Sequence, residues 1–341
     1  MDRWLTSSIV ILLSACLAPG IGGEGSERVH DPSRLFERDG TRMLLSSGSE
    51  GVALRSWRVD LETGRIMRDA DLDADALAGD WWRQLQEWNP TGEFDAPAVS
   101  EDGTRVYFTV FDEDEEIQDA IGLAEWTGAA WEARGIVVRS EGEGPDTPRA
   151  MDASVARGPD GSWLLFGSHA GGLYVTELDP ETGLLVDDPG TPETDTAPER
   201  FIRVAADTQD EDAQDAGIEA GYLHRRGDRW TLFFNVGRCC NGLDSTYEVR
   251  VGQADEPTGP FLDRDGVPLL DGGGTPFLMS EGRFHGPGHV GISGDLLTVH
   301  FYDGAAEGRS DLLLRELEWA ADGWPVAGGV VWAPAEEPDD D

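Results

Sequence analysis

Residues 217–275 read GIEAGYLHRRGDRWTLFFNVGRCCNGLDSTYEVRVGQADEPTGPFLDRDGVPLLDGGGT. A carboxylate, Glu219, stands at the head of this stretch. Alternating apolar residues follow, broken by tight turns. Such period-two alternation marks strands with one buried face. A pair of adjacent cysteines, Cys239 and Cys240, sits in the middle. The first half of the stretch recurs elsewhere in the chain in weaker form.

The copies begin at Asp31 (DPSRLFERDGTRMLLSS), Asp95 (DAPAVSEDGTRVYFTV), Asp152 (DASVARGPDGSWLLFGS), Glu219 (EAGYLHRRGDRWTLFFN) and, less cleanly, His289 (HVGISGDLLTVHFYD). Each places a polar residue before small and apolar ones, then a turn, then a β run. Asp-Gly between alternating runs is a strong hairpin signal. The leads are 64, 57, 67 and 70 residues apart, room for four strands and their loops. The expected fold is therefore all-β, a five-bladed β-propeller spanning residues 28–335. Leading residues of innermost strands converge on a central channel. That gathers Asp31, Asp95, Asp152, Glu219 and His289 in one place. Four carboxylates there cost stability unless protons, a metal or a substrate offset them. The channel is thus the candidate active site.

The connectors are acidic or turn-rich: Asp71 to Asp80, Asp112 to Asp119, Asp187 to Pro198 and Asp207 to Asp215. They read as surface loops. Trp81, Trp82 and Trp88 lie in one connector, either as a sugar-stacking lip or as an anchor under a loop. Net charge is −41, from 26 basic and 67 acidic side chains. So acidic a surface argues against nucleic-acid binding. It suits solvation at high salt. Calcium binding along the acidic runs is the other reading, but no complete twelve-residue calcium loop is present.

Trp4 to Ala15 (WLTSSIVILLSA), behind Arg3, is an apolar run of signal-peptide length, short of the ~20 residues of a membrane helix. It ends in Leu13-Ser14-Ala15-Cys16, which resembles a lipoprotein box. Residues 1–16 are expected to be a lipoprotein-type signal ending at Cys16, with ordinary secretion as the alternative. Residues 17–27 read as a flexible tether and 336–341 as an acidic tail.

An inverting glycosidase needs two carboxyl groups, roughly 6.5–9.5 Å apart, on opposite sides of the scissile bond. One donates a proton to the leaving oxygen and the other activates water. A third carboxylate nearby raises the pKa of the acid and orients it. Asp31, Asp152 and Glu219 can fill these roles, and chemistry alone does not assign them.

Three motifs resemble those of glycoside hydrolase family 43: HDPSRLF at His30–Phe36, AMDASV at Ala150–Val155 and GIEAGY at Gly217–Tyr222. The run from Gly237 to Gly266, LLDGGGT, SWLLFGSHAGGLYVTELDPETG, HGPGHVG and ADGWP are similar to the endo-1,5-α-L-arabinanases of that family. The resemblance spans Val29 to about Val326. It implies Asp31 as general base, Glu219 as general acid and Asp152 as modulator and orienter of the acid. It implies that His289 attends a central metal ion, usually calcium reached largely through waters, with no organic cofactor. Adjacent cysteines also fit the arabinanase pattern, as a vicinal disulfide or as free thiols near the cleft. Asp95, Ser168, Cys239 and Cys240 are the expected substrate contacts.

The chain departs from the family in places. Asp95-Ala96-Pro97-Ala98 stands where Trp-Ala-Pro-Asp is usual. His169-Ala170 follows Ser168 where aromatics are usual, and Gly221 replaces a favoured proline. Both wall changes remove stacking faces. The expectation is an exported, lipid-anchored monomer cleaving internal α-1,5-arabinosyl links in arabinan or its oligosaccharides. An exo-acting arabinofuranosidase or β-xylosidase is the alternative within the family. A non-catalytic glycan-binding propeller is the alternative outside it, disfavoured because a binder needs no protonated acid.

Overall fold

The computed structural model describes residues 28–49, 51–87, 89–111, 118–141, 148–186, 200–206 and 217–335. The signal, Cys16, the tether, Trp88, the acidic tail and most of three acidic connectors lie outside the described residues.

Among the described residues, twenty strands form five four-stranded antiparallel sheets, each in simple sequence order. Blade one is β1 (Phe36–Arg38), β2 (Thr41–Ser49), β3 (Val52–Asp60) and β4 (Arg65–Arg68). Blade two is β5 (Asp95–Val99), β6 (Arg105–Val110), β7 (Gln118–Trp126) and β8 (Trp131–Glu141). Blade three is β9 (Ser154–Arg157), β10 (Ser162–Phe166), β11 (Leu173–Leu178) and β12 (Ile202–Ala205). Blade four is β13 (Glu219–Arg226), β14 (Arg229–Val236), β15 (Glu248–Ala254) and β16 (Thr275–Leu278). Blade five is β17 (Phe284–Ser293), β18 (Leu296–Asp303), β19 (Arg309–Trp319) and β20 (Pro325–Trp332). The fold is the five-bladed propeller expected from the repeat.

One backbone device recurs in every blade. Asp31, Ala96, Asp152, Ala220 and His289 all adopt positive φ, between 46° and 57°. Non-glycine residues are uncommon there. In each case a side chain of the preceding blade takes the backbone N–H. Ser47 Oγ accepts from Ala96 and Thr109 Oγ1 from Asp152, both at 3.1 Å. Asp152 Oδ2 accepts from Ala220 and Asn235 Oδ1 from His289, also at 3.1 Å. His300 Nδ1 accepts from Asp31 at 3.3 Å and closes the circle. The structural repeat is therefore offset from the sequence one in two blades. Ala96 and Ala220 occupy the turn, and Asp95 and Glu219 precede it by one residue. Both alanines are small enough for either register, which hid the offset.

The ring closes without strand exchange, since residues 284–332 supply all of blade five. Blade-five hydroxyls instead hold the N-terminal segment. Ser293 Oγ donates to Leu35 O at 2.6 Å, Thr298 Oγ1 to Ser33 O at 2.8 Å and Ser310 Oγ to Val29 O at 3.1 Å. Val29 and Leu35 then bury with Leu312 and Leu314 against Leu44 and Trp57.

The connector at Asp71 to Asp80 is not wholly a surface loop. Asp73 caps a short helix, α1 (Ala74–Ala78), by accepting from Ala76 N–H at 2.7 Å. Leu77 and Ala78 pack inward. Trp81 and Trp82 are anchors rather than a lip, each only 8% exposed. Trp81 stacks on Phe108 and Trp82 meets Phe94 edge-on. Gly122 permits this stacking, because a Cβ there would come within 2.7 Å of both Trp81 and Phe108.

Asn235 is fully buried, accepts from His289 N–H and donates to Pro287 O. Asn235→Ala strands both partners. Urea unfolding should show a loss of about 1–3 kcal/mol. An unchanged midpoint would mean that the turn does not depend on its cap.

Candidate active site

The turns aim their side chains at one another. Asp31 receives the densest set of partners. Ser47 Oγ donates to its Oδ2 at 2.7 Å, and His30 Nδ1 lies 2.9 Å from the same oxygen. His289 Nδ1 and His300 Nδ1 each lie 3.4 Å from Oδ1. Burial alone would raise the Asp31 pKa, but the charge of His30, aided by His289 and hydrogen bonds, holds it well below the carboxylate range. His30 shows the converse. Burial works against its charge, yet Asp31 lifts its pKa well above the ordinary value. An imidazolium–carboxylate pair results, with Asp31 ionised. His300 stays neutral, since burial and the His30 charge lower its pKa to about 3. Its Nδ1 is an acceptor, so its hydrogen resides on Nε2, which is buried without a partner among the described residues.

Asp152 lies in the opposite condition. Burial raises its pKa well above the ordinary value, and the nearby charges of Glu219 and Asp31 add to this. Its Oδ2 accepts from the backbone N–H of Ala220, the residue after Glu219. Thus Asp152 both meets Glu219 electrostatically and fixes its backbone. Glu219 Oε2 accepts from Ser168 Oγ at 3.0 Å, and His169 Nε2 lies 3.5 Å from that oxygen. Ser168 is 1% exposed. Its hydroxyl is committed to Glu219 rather than open to a sugar. Tyr247, also buried, lies within hydrogen-bonding reach of Glu219.

The structure thus brings Asp31, Asp95, Asp152, Glu219 and His289 together. Asp95 interacts with Ser47 and with the Asp31 charge. Cys239 and Cys240 lie beside this group but act on protein. Tyr302 OH accepts from Cys240 N–H at 2.8 Å, contacts Cys239 Sγ at 3.2 Å and meets His30 Nε2 at 3.0 Å. The cysteine turn steadies Tyr302, which steadies His30 and so Asp31. No vicinal disulfide joins the two cysteines. Cys239 is a free thiol with its Sγ 2.8 Å from that of Cys240. Six residues escaped the sequence reading: His30, His300 and Ser47 around Asp31, His169 and Tyr247 beside Glu219, and Tyr302 behind His30. His30 stood inside a quoted motif and was legible as a candidate. His169 registered only as a missing aromatic.

A central cation has a partial donor set. Calcium takes six to eight oxygens. His289 Nδ1 faces Asp31, and its Nε2 makes no hydrogen bond among the described residues. One imidazole within a rim of carboxylates fits a cation held mainly by water. The close cluster of His30, Cys239 and His300, with donor atoms within 4.8 Å, is a nitrogen–sulfur set that does not suit calcium.

An ionised carboxylate and a second, hydrogen-bonded carboxyl at the centre of a five-bladed propeller are the two groups that glycoside hydrolysis needs. The chain belongs to Glycosyl hydrolases family 43, which it matches over residues 26–325. It is 26% identical over 339 residues to the extracellular endo-α-(1→5)-L-arabinanase 1 of Bacillus subtilis (strain 168), covering 94% of each chain. It is 32% identical over 200 residues to the extracellular exo-α-(1→5)-L-arabinofuranosidase of Cellvibrio japonicus (strain Ueda107), covering 57% of this chain and 56% of that one. Among solved structures it is similar to a family 43 endo-arabinanase from Bacillus licheniformis. There the TM-score is 0.72 and the identity 25%, over 89% of this chain and 98% of that one. The protein is a glycosidase.

Burial, then repulsion from Asp31, raises the Asp95 pKa from 3.8 to about 7. The folded state therefore keeps a proton that the unfolded chain releases near pH 4, and stability falls as pH climbs from about 4 to about 7. Asp95→Asn removes that loss. Its melting temperature relative to wild type should rise between pH 4 and pH 8. A constant difference across this range would contradict the assignment.

Proposed function

We propose that the protein is an inverting glycosidase that cleaves internal α-1,5-L-arabinofuranosyl links in arabinan and arabino-oligosaccharides. The observation that carries this reading is the unequal treatment of the carboxyl groups. His30 drives Asp31 toward its ionised form, while burial and the neighbouring carboxylates drive Asp152 toward its protonated form. Asp31, as general base, takes a proton from a water on one face of the sugar. Glu219, as general acid, gives its proton to the leaving oxygen on the other. Asp152 and Glu219 disfavour being charged together, which keeps a proton in the pair, and Asp152 fixes the backbone beside Glu219 through the Ala220 N–H. Similarity to the endo-arabinanases over nearly the whole chain supports the substrate class.

Calcium at His289, when bound, would supply positive charge to the channel. The extracellular names of the relatives support export, and Leu13-Ser14-Ala15-Cys16 supports lipid anchoring. Asp95 and His169 stand where aromatic faces are expected, which favours short oligosaccharides over long polymer. The same polar walls support the exo-acting alternative.

Debranched arabinan, arabino-oligosaccharides and xylan should be incubated with the protein and the products resolved by size. Mixed oligomers from arabinan are expected. Arabinose alone would indicate exo action, and no product from any substrate would overturn the reading. Glu219→Ala should abolish arabinan cleavage but retain much of the rate on substrates with activated leaving groups. Asp31→Ala should lose both.

A further inference from the structure

We propose that His169 is a positioning residue for the general acid. With Ser168 it occupies Oε2 of Glu219, so that the catalytic proton is carried on Oε1. This inference rests on the glycosidase roles assigned above.

The loop that carries His169 is built to hold one conformation. It runs Gly167-Ser168-His169-Ala170-Gly171-Gly172 between β10 and β11. Gly167 N–H donates to Met151 O at 2.9 Å, which ties the loop to the residue before Asp152. A Cβ on Gly167 would lie 2.2 Å from Gly172 O, and one on Gly172 would lie 2.4 Å from Ala205 O. His169 itself adopts φ 55° and opens a single turn of 3₁₀ helix. Backbone strain of this kind persists only where surroundings impose it, and it clusters at functional sites.

The imidazole is seated from below as well. A Cβ on Gly217 would fall 2.8 Å from His169 Nδ1. The ring therefore rests on the backbone two residues before Glu219, with Nε2 3.5 Å from Oε2. Hydrogen bonds to catalytic groups are often long in the free enzyme and tighten in the substrate complex. Ser168 Oγ already donates to Oε2. An oxygen approached by two donors is a poor place for the acid proton, since an added hydrogen would oppose one of them. The proton belongs on the other oxygen. Around Glu219 the remaining titratable groups are Asp152, Tyr247, Cys239 and His289. Of these, Tyr247 lies within hydrogen-bonding reach of the Glu219 carboxyl, while Asp152 meets it through charge and through the Ala220 N–H. The His169 side chain is 43% exposed, against 15% for Glu219, so it forms the solvent side of this arrangement.

The test compares His169→Ala, His169→Gln and His169→Phe on an α-1,5-arabino-oligosaccharide and on aryl arabino-oligosaccharides whose phenols differ in acidity. His169→Ala should lower kcat on the natural link about tenfold, with little change in KM. It should leave the nitrophenyl substrate, which needs little protonation, within about twofold. The rate should therefore depend more steeply on leaving-group acidity. Glutamine, which keeps an N–H donor, should restore most of kcat, and phenylalanine should not. Gly217→Ala keeps the imidazole but displaces it, and should reproduce the kcat loss. A rise in KM on every substrate, reversed by phenylalanine, would show a sugar-stacking wall and overturn the proposal. Equal losses on natural and activated substrates would also overturn it. A wild-type protein inactive on the oligosaccharide would instead overturn the glycosidase roles on which the inference rests.

Discussion

The left-handed turn at the head of each inner strand is the constraint on which the molecule depends. It lets the chain enter the channel and turn outward within one residue. Its cost is met by a buried acceptor on the preceding blade: Ser47, Thr109, Asp152, Asn235 or His300. Each blade thereby fixes the next, and blade five fixes blade one. The same contacts are the architecture of the site. Asp152 is both a turn residue and the cap of the turn after Glu219. His300 caps the turn of Asp31 and faces its carboxylate. Stability of the ring and placement of the acids are one set of hydrogen bonds.

Electrostatics then separates groups that begin alike. Asp31, Asp95 and Asp152 are aspartates in one channel. Only Asp31 has imidazoles on both oxygens, and it takes the negative charge. Asp95 and Asp152, facing that charge in buried surroundings, are driven toward the protonated form. A pair of carboxyl groups with different proton affinities is what hydrolysis with inversion needs. The cysteine turn, beside this group, contributes through Tyr302 and His30.

Much of this was legible in the sequence because the repeat carries its own punctuation. Alternating runs and Asp-Gly turns gave the blades, and the leading acids gave the channel. Asp31, Asp152 and Glu219 were readable by motif. The one-residue offset at Ala96 and Ala220 was not, because backbone sign is invisible where alanine occupies the turn. Burial of Trp81 and Trp82 was left open, since a tryptophan pair suits a core and a sugar platform equally well. Ser168 was read as facing substrate, but its partner is distant in sequence, on β13. His169 could have been noticed from the glycines that flank it, which mark a loop with little freedom.

The central claim is that water held at Asp31 displaces a leaving group protonated by Glu219 in a single step. The anomeric form of the first product tests it most directly. Proton NMR during the first minutes of arabino-oligosaccharide cleavage should show the new reducing end appearing as the β anomer, followed by slow equilibration. Initial appearance of the α anomer would mean retention through a covalent intermediate, and would contradict the account.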